Sequence, residues 1–284
     1  MKKRLLLATI FVFACLIFMY NYITPSTKEE NRGKIGVVVT ILPQAEFVEK
    51  VGGDRVKVTV MVPPGASPHT YEPTASQLKE VSKAMIYFKV GSGVEFEITW
   101  WDKIISVNPN IIVVDGSKGI DIIDKDPHIW NSPKNAKKMV RNFYLALIQV
   151  DPFHKDEYKA NMNRYLKELD ELDNYIRNKI SGFKNKAFII YHSAFGYLAN
   201  DYDLKQIVVE HKGKEPTPKI IQRCIDYAKK YNLSYVFTLP QFTTKHAEVI
   251  AKEIGGETII VDPLPRNYVA NMRSVINLLC KEFE

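Results

Sequence analysis

Val56-Lys-Val-Thr-Val-Met-Val62 runs directly into Pro63-Pro-Gly-Ala-Ser-Pro-His-Thr-Tyr-Glu-Pro73. The first stretch is rich in β-branched residues and alternates apolar with polar, which predicts a strand. The second predicts a loop at the strand's carboxyl end. Three prolines precede His69 and one follows it, and each fixes φ, so little backbone entropy remains to be lost on holding the imidazole. Taken alone, the loop leaves two readings open: a ligand held ready, or a surface histidine on a proline-rich turn.

Outward from this loop the chain alternates strand with helix. Strands are expected at 35–40, 56–62, 85–90 and 111–114, and helices at 43–51, 75–83 and 95–106. Such a succession argues for a mostly parallel sheet flanked by helices. The rhythm then changes. A helix is expected over 133–148, capped by Asn131 or Ser132 with Pro133 in its first turn. After Asp151-Pro152, residues 155–180 place Tyr158, Met162, Tyr165, Leu169, Leu172 and Ile176 at three- and four-residue spacing, one apolar face of a long helix. At 1.5 Å per residue it would span about 39 Å, and it reads as a spine joining two lobes. Strands return at 187–191, 206–209, 235–238 and 258–261, with helices at 195–200, 219–231, 245–254 and 267–283. The expected fold class is therefore α/β: two lobes, each a mostly parallel sheet flanked by helices, joined by a rigid helix. The expected segments are 1–33 as signal, membrane anchor and tether, 34–150 as the N-terminal lobe, 151–182 as the spine and 183–284 as the C-terminal lobe.

Met1-Lys-Lys-Arg4 followed by the apolar run Leu5–Tyr20 has the form of an export signal. Val12-Phe-Ala-Cys15 resembles a lipoprotein processing box, with an atypical Phe13. Attachment to the membrane by an uncleaved helix or by a lipid is expected, with the polar stretch 21–33 as tether. The net charge is +7, of which +3 lies in residues 1–33; the other +4 is spread over some 250 residues without a block of five like charges. That is a solvated surface rather than a phosphate-tracking stripe, so no nucleic-acid partner is expected. Cys224 and Cys280 fall on expected helices, and in an exported chain they either pair or stay as free thiols.

Six histidines are present, and three of them, His69, His128 and His192, come after strand candidates. Asp262 directly follows Thr258-Ile-Ile-Val261. Open α/β sheets bind ligands beyond the carboxyl ends of their strands, so these four residues are expected to converge on one crevice, two from each lobe. Three imidazoles and a carboxylate suit Zn²⁺, with Mn²⁺, Fe²⁺ or Co²⁺ also possible. His154, His211 and His246 stand among charged residues and are read as surface groups.

Six stretches, in order, carry a resemblance: 64–73, Asp126-Pro-His-Ile-Trp130, Tyr191-His-Ser-Ala-Phe-Gly-Tyr-Leu198, Glu215-Pro-Thr-Pro-Lys219, Pro240-Gln-Phe242 and Asp262-Pro-Leu264. With these the chain resembles the metal-binding solute receptors of ABC importers for zinc and manganese, from about residue 34 to the end. The resemblance implies two α/β lobes with a metal clamped between them, His69 and His128 as ligands from the front lobe, and His192 and Asp262 from the back. Histidine at the third position resembles the zinc branch, where manganese receptors carry glutamate. An ABC-type permease is the implied partner, and the implied location is the outer face of the cell membrane. A monomer is expected. Two departures stand out: 115–126 is short and lacks histidine, and Leu239 occupies a position usually held by glutamate. Glu72 and the prolines are expected to orient His69.

A closed four-ligand shell suits capture and release of an ion, because no position is left for a reacting water. A zinc hydrolase would need an open position and a general base, and neither His-Glu-x-x-His nor Gly-x-Ser-x-Gly occurs in the sequence. A surface adhesin of the same fold is the remaining alternative, though pure adhesion gives the ligand set no purpose.

Overall fold

The computed structural model describes residues 33–210 and 213–284. The expected anchor segment lies outside the described residues, as does His211. Among the described residues no helix is long and apolar enough to cross a membrane.

The first half builds β1 (Ile35–Val39), α1 (Leu42–Gly52), β2 (Val56–Val60), α2 (Ala75–Val81), β3 (Ile86–Lys89), α3 (Glu95–Val107) and β4 (Ile112–Asp115). Its four strands are all parallel, in the order β2-β1-β3-β4. Val37 of β1 stands opposite Val58 on one side and Ile86 on the other. β1 lies inside the sheet, and Val37, Val38 and Val39 are buried on both faces, which is why it reads as a continuous apolar run rather than an alternating one.

Next come α4 (Pro133–Val150) and α5 (Lys155–Ile180). The cap of α4 resolves to Ser132, whose hydroxyl accepts from the Asn135 N–H. α5 has the bounds expected from its periodicity, and Tyr158, Met162, Tyr165, Leu169, Leu172 and Ile176 are all buried. The second sheet contains β5 (Ala187–Ile190), β6 (Lys205–Val208), β7 (Tyr235–Thr238) and β8 (Glu257–Ile260), parallel and ordered β6-β5-β7-β8. Its helices are α6 (Gly196–Tyr202), α7 (Pro218–Tyr231), α8 (Lys245–Glu253) and α9 (Tyr268–Phe283). The two sheets therefore share one strand order, and in each the direction of winding changes beside the first strand. That change opens a crevice at the carboxyl ends of the strands.

One hydrophobic cluster spans both lobes, and a second lies within the C-terminal lobe around Ile189, Cys224 and Ile250. A continuous cluster runs from Ile35 through the buried face of α5 to Leu279 of α9. Polar ties cross between the lobes as well. Trp130 Nε1–H donates to the Pro263 carbonyl at 2.8 Å, and Asn131 Nδ2 donates to the Ala194 carbonyl at 2.8 Å. Ser132 Oγ and Lys134 Nζ both reach the Asp201 carboxylate, and Arg266 pairs with Glu49.

One open alternative is resolved and two expectations are corrected. Cys224 and Cys280 are buried free thiols and do not pair. His154 is not a surface group: its Nδ1 lies 2.6 Å from Asp151, and Tyr158 OH binds the same carboxylate at 2.7 Å. His246 is half-buried, with its Nδ1 wholly enclosed.

Candidate metal centre

The loop carrying His69 is fixed from both ends. Thr74 caps α2 by accepting from the Gln77 N–H, and the Gln77 side chain returns to the Thr74 N–H at 2.9 Å. The same Gln77 amide donates to the carbonyls of Val60 and Met61, tying the loop's far end to the end of β2. Inside the loop the Ser67 carbonyl accepts from Thr70 and Tyr71, and Ser67 Oγ accepts from the His69 N–H. The prolines therefore act together with a hydrogen-bonded frame. His69 Nδ1 meets Glu95 Oε2 at 2.9 Å. Glu95, in the first turn of α3, does what sequence reasoning assigned to Glu72, which is exposed.

His128 does not follow β4 closely. Residues 116–127 intervene, and Tyr197 of α6 holds them by accepting from the Ile123 N–H and donating to the Asp126 carbonyl. Asp126 Oδ1 then accepts from both the backbone N–H of His128 at 2.9 Å and its Nδ1 at 2.7 Å. Gly196 leaves room for this carboxylate: a Cβ there would lie 2.5 Å from Asp126 Oδ2. His192 sits just past β5, and its Nδ1 lies 2.5 Å from Glu210, at the end of β6. Phe242 stacks on the His192 ring at 4.5 Å and 23°.

All three imidazoles thus present their Nδ1 to a carboxylate. An ionised carboxylate only accepts, so Nδ1 donates to it, and Nε2 is the nitrogen left to bind an ion. His69, His128 and His192 each offer a ring nitrogen within 4.8 Å of the others. His128 and His192 are almost buried, with 9% and 11% of their side chains exposed, whereas His69 keeps 29%. Carboxylates that orient metal-binding imidazoles in this manner raise their basicity as ligands. Burial works to raise the Glu210 carboxyl, but the hydrogen bond and charge of His192, the Gly213 N–H and the charge of His69 outweigh it and hold Glu210 below the usual range. The site therefore has three imidazoles backed by carboxylate oxygens, an arrangement complementary to a dication. Pro127, Trp130, Leu239 and Leu264 line the pocket and keep it largely apolar.

Asp262 stands outside the three-histidine group. Its Oδ1 accepts from Gln241 Nε2 at 3.2 Å and from the Leu264 N–H at 3.0 Å. The residues that sequence reasoning missed are Glu95 and Glu210, respectively 26 and 18 positions from the imidazoles they hold, and the roles of Asp126, Gln241 and Phe242. Asp126, two residues before His128, was the one a local reading could have found.

Comparison with known proteins gives a consistent result. The family model described as "Zinc-uptake complex component A periplasmic" matches residues 37–281. The high-affinity zinc uptake system protein ZnuA of Bacillus subtilis is 27% identical over 277 residues, covering 89% of this chain and 86% of that protein. The zinc-binding lipoprotein AdcA of Streptococcus pneumoniae is 28% identical over 288 residues, covering 93% of this chain, and this chain spans 56% of AdcA. Among solved structures, a crystal structure of ZnuA superimposes with a TM-score of 0.85 at 37% identity, covering 88% of this chain and all of that one. The Zn(II)-bound ZnuA-like domain of Streptococcus pneumoniae AdcA gives 0.76 at 27% identity, over 88% and 99% of the two chains. With its two parallel sheets, its spine helix and a family match across nearly the whole described chain, this protein belongs to the ZnuA family of zinc-uptake complex components.

Proposed function

We propose that this protein is an extracytoplasmic receptor that captures one Zn²⁺ between its lobes and delivers it to an ABC-type membrane permease. His69, His128 and His192 hold the ion through Nε2, and Asp262 supplies a fourth, oxygen ligand once it leaves its present partners. The observation that carries this reading is the pairing of every imidazole with a carboxylate at Nδ1, which turns three lone pairs toward one point. Three nitrogens favour zinc over the harder manganese ion; Mn²⁺ or Fe²⁺ would bind less tightly. The names of the relatives support the same cargo: ZnuA of B. subtilis is a high-affinity zinc uptake system protein, and AdcA of S. pneumoniae is a zinc-binding lipoprotein.

The protein turns nothing over. Glu95, Asp126 and Glu210 are each engaged by a ring N–H, and Asp262 by an amide, so the carboxylates around the ion are positioning groups rather than bases facing a metal-bound water. The receptor acts as a monomer, attached to the outer face of the membrane through residues 1–33. Titration of metal-free protein tests the reading: one equivalent of Zn²⁺ binds, and Mn²⁺ competes poorly. Absence of zinc binding, or hydrolysis of an ester or phosphoester by the zinc-loaded protein, would overturn it.

A further inference from the structure

Asp262 and Gln241 are in an unusual relation. Gln241 Nε2–H donates to Asp262 Oδ1 at 3.2 Å. The other end of the same amide, Gln241 Oε1, is buried and, among the described residues, has no hydrogen-bond partner. Buried polar atoms are nearly always paired, and an orphan marks a pose held for another reason. Turning the amide over would set its oxygen against the Asp262 carboxylate, so the carboxylate dictates the orientation at the expense of the acceptor. Gln241 also lines the pocket that holds the three imidazoles.

The turn around Gln241 is rigid. The Phe242 N–H donates to the Leu239 carbonyl at 3.1 Å, and the Phe242 ring is stacked on His192. One short turn after β7 therefore touches both a histidine of the site and the carboxylate that stays outside it. We propose that Gln241 is a latch: by holding Asp262 Oδ1 it biases the carboxylate away from the ion position, and recruiting Asp262 as the fourth ligand loosens that bond. This inference rests on the receptor reading above and adds to it a determinant of affinity and release. A site whose four ligands were all preset would bind more tightly and let go more slowly. With the latch, part of the zinc–carboxylate interaction is offset by the bond given up, and the same bond re-forms as the ion leaves. At 3.2 Å the bond is long, and the ordinary net worth of a hydrogen bond sets the size of the offset, about three- to tenfold in affinity.

The test is a double-mutant cycle on the full chain, with zinc affinity read by chelator competition and release by stopped flow. Gln241→Met keeps the side chain's length and removes its donor. The expected result is three- to tenfold tighter binding and correspondingly slower release, with both gains abolished when Asp262→Asn is added. Gln241→Ala supplies the same cycle should the Met variant fold poorly, as judged by the melting temperature of the metal-free protein. Unchanged or weaker binding in the Gln241 variants, or a gain that persists with Asp262→Asn, would overturn the latch. Failure of the wild type itself to bind zinc would instead remove the receptor reading, so the two are distinguishable.

Discussion

His128 Nε2 and His192 Nε2 face each other at 3.3 Å across the cleft, one from each lobe. With Nδ1 of both rings on a carboxylate, Nε2 is the nitrogen each ring turns to the cleft, and in the neutral form of both rings two lone pairs point at one another. Two acceptors at that distance repel unless a proton or a metal cation lies between them. Zinc with nitrogen ligands at about 2.0–2.1 Å relieves the repulsion and fits the spacing.

Zinc therefore stabilises the folded state selectively, since the unfolded chain has no such site. At a free concentration a thousandfold above Kd the gain is about 4 kcal/mol, a rise of roughly 10 °C in Tm for a chain of this size. Differential scanning fluorimetry of metal-free protein with and without zinc measures it. His128→Ala should abolish the rise while leaving the metal-free protein folded.

The affinity is expected to fall as pH drops from 7.5 to 5.5, because a ligating imidazole must be neutral and histidines ordinarily titrate near pH 6.5. Glu210 does not set this fall. Its folded pKa lies below the unfolded one, so its stabilising contribution is complete above the ordinary carboxylate range and is lost only as pH falls through the depressed value. Glu210→Gln should weaken zinc binding by about 10–100-fold while keeping the same pH trend. Competition titrations at several pH values check both; an affinity independent of pH would contradict histidine ligation.

Gly196→Ala touches no imidazole, yet its Cβ would meet Asp126 Oδ2 at 2.5 Å. The carboxylate must shift, and His128 loses the partner that fixes its ring. The expected effect is about a tenfold loss of zinc affinity, with a change of no more than a few degrees in the Tm of the metal-free protein. A zinc titration beside a melting curve separates the two effects.

Metal binding should change the overall dimensions little. The spine helix, the shared core and the Trp130–Pro263 and Asn131–Ala194 bonds leave no free hinge between the lobes. Small-angle scattering is expected to give the same radius of gyration with and without zinc. A clear decrease on adding zinc would point to a wide closing motion.

Much of this architecture was legible because it rests on period and position. The apolar face of 155–180 gave the bounds of the spine, since one stripe at helical spacing must face a core. The strand ends after Val60 and Ile190 placed His69 and His192 together, because parallel strands all deliver their next residues to the same side, while Asp262, after Ile260, stays outside the group they form. The carboxylates left no such trace. Glu210 reaches His192 through the pairing of β6 with β5, and Glu95 reaches His69 from the first turn of α3; neither periodicity nor local spacing encodes these pairings. Asp262 was placed at the right strand end, but its present partners depend on a turn around Gln241 that the words Pro240-Gln-Phe242 do not reveal. Cys224 and Cys280 were ambiguous for the same reason: pairing needs geometry, and both side chains turn into separate parts of the core.

X-ray absorption at the zinc edge of protein carrying one equivalent of Zn²⁺ tests the central claim most directly. The account predicts three imidazole nitrogens at about 2.0–2.1 Å and an oxygen as the fourth ligand. Fewer than three imidazoles, or a sulfur at about 2.3 Å, would contradict it.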